Sequence, residues 1–264
     1  MKYIIASGWW CDDDKADDRA AKYGNSELRK VGFFDKWYEA IRKNASPHQI
    51  VVVDSHSPVK PDLSKYENLV WLEKDRNAGH STKHKGKYCG VTISFLTSLM
   101  HVYCSEADYW VYIEQDALIK GPGIIEHAIQ KMTKPMMFGD GWGTPQPMQQ
   151  SFMIIKREYI PTFIAQLCRI SAKDCEISPE YKFAIASSKI LSVMPECFFK
   201  GIEKGTFLQK VLAKMTFYFA NTDFMSDSSL LPFGYGRARP INFNDDYFYF
   251  QHGDESELNN YSEK

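Results

Sequence analysis

The stretch "HQIVVVDSHSP", residues 48–58, limits what this chain can fold into more than any other part of it. Ile50 to Val53 are continuously apolar and β-branched, and the run stops at Asp54. An extended run without polar alternation must be covered on both faces, as a strand inside a parallel sheet is. Upstream, "KYIIASG" (2–8) reads as a second buried strand ended by Gly8. Between them, "SELRKVGFFDKWYEAIRKNA" (26–45) carries Leu28, Val31, Phe34, Trp37 and Ile41 at helical spacing behind a capping Ser26. Strand, helix and strand make a βαβ unit, so the expected fold class is α/β, a mainly parallel sheet flanked by helices.

The alternation continues through "NLVWLEKD" as a strand, the loop "RNAGHSTKHKGKYCG", the helix "VTISFLTSLMHVYCSEA", the strand "YWVYIEQD" and the helix "IIEHAIQKM". Functional residues then belong at the strands' carboxyl ends. Past about residue 135 the pattern changes. A long loop punctuated by glycine and proline precedes a strand at 152–155, and helices fall within 157–170 and 179–193. "MTFYFAN" and "DYFYFQHG" read as aromatic strands around the loop "SSLLPFGYGRARPINF". The expected organisation is one domain over 1–264, with halves at 1–135 and 136–253 and a loose tail at 254–264.

With 44% hydrophobic residues the chain has ample material for a core. Its 32 basic and 33 acidic residues leave a net charge of -1, which gives no field to recruit nucleic acid. The six cysteines include no C-x-x-C pair and read as reduced thiols. The opening "MKYIIASGWWCDDD" is too short in apolar residues for a signal or a membrane span. These features point to a cytoplasmic location without a transmembrane segment, and leave peripheral membrane contact open.

The stretch "ADYWVYIEQDALIKGPG" ends a strand in Glu114-Gln115-Asp116 and turns at once through Gly121-Pro122-Gly123. Residues two apart on a strand share a side, so Glu114 and Asp116 present two carboxylates together. In a chain this acidic such a triplet arises roughly four times by chance, and only its context gives it weight.

That context resembles glycosyltransferases of the GT-A fold, the Rossmann-like nucleotide-diphospho-sugar transferase superfamily. The resemblance covers most of the chain in order of elements. It rests on the first strand and its turn, on Asp54, on the loop Arg76-Asn77-Ala78-Gly79, and on the acidic triplet, where glutamate replaces the usual first aspartate. It implies transfer of a sugar from a UDP- or GDP-sugar to a hydroxyl of a glycan or lipid-linked glycan. It also implies a divalent cation, Mn²⁺ or Mg²⁺, that stabilises the leaving diphosphate. The implied metal ligands are Glu114, Asp116 and His252 of "YFYFQHGDES", the histidine binding as a neutral imidazole with an ordinary titration near roughly 6.5. The implied donor site comprises Ala6, Ser7, Gly8, Asp54, Arg76, Asn77, Gly79, Gln115, Arg237 and Arg239, with electrostatic help from Lys83, Lys85 and Lys87. On the acceptor side stand Trp142, Gln149, Gln150 and Ser151.

The base that takes the acceptor proton stays open among Asp140, Glu180, Glu196 and Glu203, with Glu180 preferred for its place in the first turn after Ser178-Pro179. Two other functions compete. A sugar-nucleotide pyrophosphorylase shares the α/β sheet, but "ASGWWCDDD" lacks the glycine-rich loop expected after its first strand. A non-catalytic nucleotide-sugar or carbohydrate binder would release no free nucleotide.

Overall fold

A computed structural model describes residues 1–12, 24–144, 146–200, 206–221 and 226–262. The strands are β1 (Tyr3–Trp9), β2 (Gln49–Asp54), β3 (Leu69–Glu73), β4 (Gly79–His80), β5 (Lys83–His84), β6 (Tyr109–Ile113), β7 (Ala117–Lys120), β8 (Met136–Asp140), β9 (Met148–Lys156), β10 (Ser228–Leu230), β11 (Tyr235–Gly236) and β12 (Phe248–Gln251). The helices are α1 (Phe33–Asn44), α2 (Gly90–Tyr103), α3 (Ile124–Gln130), α4 (Ile160–Arg169), α5 (Pro179–Ala186), α6 (Phe207–Asn221) and α7 (Glu255–Ser262).

Seven strands form the central sheet in the order β10-β8-β9-β6-β1-β2-β3. β1 lies parallel to both β2 and β6, whereas β9 runs antiparallel to β6 and β8. The chain thus forms the expected α/β sheet, mostly parallel, and it extends through both halves. The strand order moves outward from β1 in opposite directions, first to β2 and later to β6. The crevice outside the carboxyl ends of β1 and β6 is therefore the topological switch point, where open α/β sheets bind ligands.

Burial explains the layers. One apolar cluster unites Phe34, Trp37 and Ile41 of α1 and Ile125 of α3 with Phe248 and Phe250 of β12. The other joins Phe95 and Leu99 of α2, Phe163 of α4 and Phe183 of α5 beneath the sheet's opposite face. A smaller sheet, β11-β12-β7, adds to the first layer, with β12 antiparallel to β7. α2 forms despite its β-branched residues because Phe95, Leu99 and Val102 are fully buried, and Trp110 of β6 donates to Ser98 Oγ at 2.9 Å.

Several expected elements come out differently. "MTFYFAN" is the end of helix α6: its aromatic residues favour a strand locally, but the apolar spacing over 207–218 is helical. The stretch from Ser26 is first a 3₁₀ turn, Ser26–Arg29, begun by Asn25, and α1 starts only at Phe33. β8 occupies part of the expected loop, and β9 begins at Met148, so Gln149, Gln150 and Ser151 lie within a strand. α5 ends at Ala186, followed by a short 3₁₀ turn at Leu191–Val193. The expected loose tail contains α7, held by buried Leu258 and by the Tyr261 hydroxyl, which donates to the Ile119 carbonyl at 2.7 Å.

Candidate functional site

The switch point is built first by close packing. Gly8 N donates to the Tyr112 hydroxyl at 3.2 Å, and a Cβ on Gly8 would lie 2.8 Å from Ser94 Oγ of α2, so only glycine lets that helix approach the strand end. Ala6 and Ser7 are buried in the same strand. Gln115 bridges across the crevice floor: its Oε1 accepts from Trp10 N at 2.8 Å and its Nε2 donates to Trp10 O at 3.2 Å. The side-chain amide thus continues the pairing of β1 and β6 beyond their ends, and these bonds commit it to the scaffold.

Glu114 and Asp116 flank this bridge. The register of β12 on β7 pairs Gln251 with Ala117, which carries the following His252 beside Asp116. His252 Nε2 lies 3.4 Å from Asp116 Oδ2, and its backbone is left-handed at φ 58, a conformation uncommon for a residue with a side chain. Gln251 Nε2 donates both to Glu114 Oε2 at 2.6 Å and to Asp116 Oδ1 at 2.9 Å. Arg29 places a guanidinium nitrogen 3.3 Å from Asp116 Oδ2. Asp116 and His252 therefore approach each other, and Glu114 joins them through Gln251, in company with two donors that the sequence did not disclose. Gln251 carried one signal, its place next to His252, whereas Arg29 carried none.

Charge balance in this cluster is set by burial. Loss of solvent, then the charge of Asp116, push the Glu114 carboxyl up to about 8, while Arg237 opposes the shift. Glu180, in the first turn of α5, is buried and near enough for its charge to raise Glu114 further. His252 moves the other way, down to about 4, because burial disfavours the imidazolium and Arg237, Arg29 and Arg239 outweigh part of the attraction of Asp116. It is thus neutral well below the ordinary histidine range.

The Glu114 shift has a consequence for stability. An acid raised from 4.5 to about 8 on folding contributes stability that is complete below about pH 4.5 and is lost as pH climbs to 8. Glu114→Gln, which keeps an acceptor for Gln251, removes that loss, on the order of 3 kcal/mol at pH 7. Urea denaturation at pH 5 and pH 8 should show the variant's advantage growing with pH. An equal difference at both values would contradict the assignment.

The remaining predicted residues divide by their bonds. Asp54 is fully buried, and its Oδ1 accepts from Ser57 N at 3.1 Å and from the Ser57 hydroxyl, so the carboxylate holds the turn after β2. Asn77 Oδ1 accepts from Gly79 N at 2.8 Å, and Gly79, at φ 84, opens the β4–β5 hairpin. Arg76, Lys83 and Lys85 are exposed, and Lys87 Nζ donates to the Cys168 carbonyl at 3.0 Å. Arg237 donates from Nε to Gln251 Oε1 at 3.1 Å, which joins it to the carboxylate cluster. Arg239 instead pairs with Glu257 of α7 and donates to the Gln251 carbonyl at 2.9 Å.

Gln149 is spent on Asp140 O, Tyr235 O and Arg237 N. Gln150 and Ser151 are buried in β9, where the Ser151 carbonyl accepts from Glu114 N at 3.0 Å. Gln150 Oε1 is left without a hydrogen-bond partner. Asp140 Oδ1 accepts from Trp142 N at 2.8 Å, and the Trp142 side chain is 79% exposed. Glu196 is taken up by Ser171 and Ala172, and Glu203 lies outside the described residues.

Glu180 owes its position to a buried ion pair. Lys182, two residues along α5 from Glu180, is fully buried and donates to Asp174 Oδ1 at 2.6 Å and to the Ala172 carbonyl at 2.6 Å. Asp174 Oδ2 accepts from Cys89 N at 2.7 Å, supplying the cap that Cys89's own side chain does not provide to α2. One carboxylate therefore locks α5 to the start of α2.

No protein-family model and no curated protein matches the chain. Among solved structures it is similar to PcManGT, a mannosyltransferase from Pyrobaculum calidifontis solved with GDP-Man and Mn²⁺, at 13% identity over 70% of this chain and 51% of that one, TM-score 0.43. Residues 1–349 of TarS from S. aureus are 13% identical over 95% of this chain and 60% of that one, TM-score 0.43. The glycosyltransferase GlyE from Streptococcus pneumoniae TIGR4 is 8% identical over 88% of this chain and 45% of that one, TM-score 0.40. The chain spans about half of the length of these proteins. At such identities and TM-scores the likeness concerns the layout of the sheet and helices and carries no argument about activity.

Proposed function

We propose that the chain is a glycosyltransferase that takes a sugar from a nucleoside-diphosphate donor and delivers it to a hydroxyl of a glycan or lipid-linked glycan. The observation that carries this reading is the meeting, at the switch point, of Glu114 and Asp116 with Gln251, His252, Arg29 and Arg237. A crevice with carboxylates, guanidinium groups and a neutral imidazole suits a diphosphate and its counter-ion. In this reading the ends of β1 and β2, at Ser7, Gly8 and Asp54, border the nucleoside, and Arg76 and Arg237 face the diphosphate. Trp142 and Gln150 contact the acceptor, and Glu180 accepts the hydroxyl proton, with Asp140 as the second candidate.

The side chains present suit a divalent ion as a chemical set, since a neutral imidazole and carboxylates are the donors that Mn²⁺ takes. Among the described residues, however, no group of three such side chains is arranged to hold one. Both Asp116 oxygens are bonded to protein donors, so loading requires Arg29 and Gln251 to yield. When bound, the ion would be held by Asp116, His252 and Glu114 and would neutralise the leaving diphosphate. This chain's own guanidinium groups, Arg29 and Arg237, provide positive charge at the same place. The test is release of free nucleoside diphosphate from UDP- and GDP-sugars, with and without Mn²⁺ and with glycan acceptors. Release with a suitable acceptor supports the reading, whereas binding without release assigns the chain to the non-catalytic binders.

A further inference from the structure

Helix α6 turns an apolar face to water. Phe207 is 84% exposed, Tyr218 65% and Leu208 63%, and Val211 and Met215 are exposed as well. At 100° per residue these five fall within one arc of about 100°. The helix is anchored next to this arc, where Leu212 packs against the cluster that contains Tyr181 and Ile185 of α5, and on its far side, where Gln209 Nε2 donates to the Lys200 carbonyl at 2.9 Å. The outward arc is therefore a property of a docked helix.

Scattered exposed apolar residues are ordinary, but five on one helix face mark a surface made to be covered. The border of the arc says by what. Lys210 and Lys214 are exposed along one edge of the arc, and neither pairs with a described acidic residue. The stretch 206–221 contains no acidic residue at all, in a chain whose net charge is -1. Positive charge concentrated beside an apolar stripe complements an anionic lipid surface: the rings and aliphatic side chains enter the headgroup boundary while the lysines meet phosphate. Fifteen residues span only about 22 Å as a helix, short of the ~30 Å hydrocarbon core, so α6 lies along a bilayer and does not cross it. Among the described residues no helix is long and apolar enough to cross a membrane.

We propose that α6 is the membrane-docking face of this protein, seated on anionic phospholipid through Phe207, Leu208, Val211, Met215 and Tyr218 with Lys210 and Lys214 on the phosphates. Because α6 packs on α5, docking sets the bilayer one helix away from Glu180. The docking goes beyond the transfer chemistry and holds whether or not that chemistry is right. Sedimentation of the full chain with vesicles tests it without any activity readout. Wild type should sediment with vesicles containing phosphatidylglycerol and remain in solution with phosphatidylcholine alone. Lys210→Glu with Lys214→Glu should weaken binding ~30-fold, and Leu208→Ser with Met215→Ser should abolish it. All four positions are exposed, and an unchanged melting temperature verifies the fold. Equal binding to both vesicle types, or variants that bind like wild type, would overturn the proposal. So would a chain that ignores vesicles but forms a dimer that Leu208→Ser with Met215→Ser dissociates, which assigns the face to a second copy.

Discussion

Lys182→Met is expected to cost about 3–5 kcal/mol of folding stability, the largest loss of any single change outside the apolar core. Lys182 and Asp174 are both inaccessible to solvent and 2.6 Å apart, so removing the ammonium strands a buried carboxylate that is left with the neutral amide and thiol of Cys89. Methionine fills most of the lysine volume and forms no ion pair, and the loss therefore reports the unpaired charge and not a cavity. For a chain of this size the melting temperature should fall by roughly 10 °C. Adding Asp174→Asn to Lys182→Met should return much of that loss, because the stranded charge is gone while an oxygen remains for Cys89 N. A double variant no more stable than Lys182→Met would contradict this account. Since the pair fixes α5 against α2, it acts on the site only by positioning Glu180.

Asp116→Asn is expected to lower donor turnover by ~10³-fold or more while leaving the melting temperature within a few degrees of wild type. Asparagine keeps one oxygen, for Gln251 or for Arg29 but not for both, and removes the charge. That charge is the centre of the cluster: it faces His252, pairs with Arg29 and raises Glu114. Nucleoside diphosphate release at saturating Mn²⁺ is the measurement. Turnover near that of wild type would remove the acidic pair from the mechanism.

What could be read from the sequence was decided by local signals. Continuous apolar strands and helical periodicity announced β1, α1, β2 and the order that follows, because burial on two faces leaves a one-dimensional trace. Glu114 and Asp116 were visible because a strand's alternation sets them side by side, and His252 because its strand is strongly aromatic. The partners of those residues were not visible. Arg29 reaches Asp116 across 87 positions and Gln251 reaches Glu114 across 137, and no spacing rule encodes such contacts. Aromatic composition misdirected the assignment of 215–221, where tertiary packing on α5 selects a helix over β-propensity. The polar residues Gln115, Gln149 and Arg239 looked available for ligands because a sequence does not show which hydrogen bonds are already made.

On the proposed function, a nucleoside-diphosphate sugar belongs in the crevice outside the carboxyl ends of β1 and β6. A crystal structure of the chain with a UDP- or GDP-sugar and Mn²⁺ tests it most directly. Expected are the nucleoside beside Gly8 and the diphosphate against Asp116 and Arg237, with Arg29 and Gln251 drawn off the Asp116 oxygens. A donor bound elsewhere, with Arg29 and Gln251 still on Asp116, would contradict it.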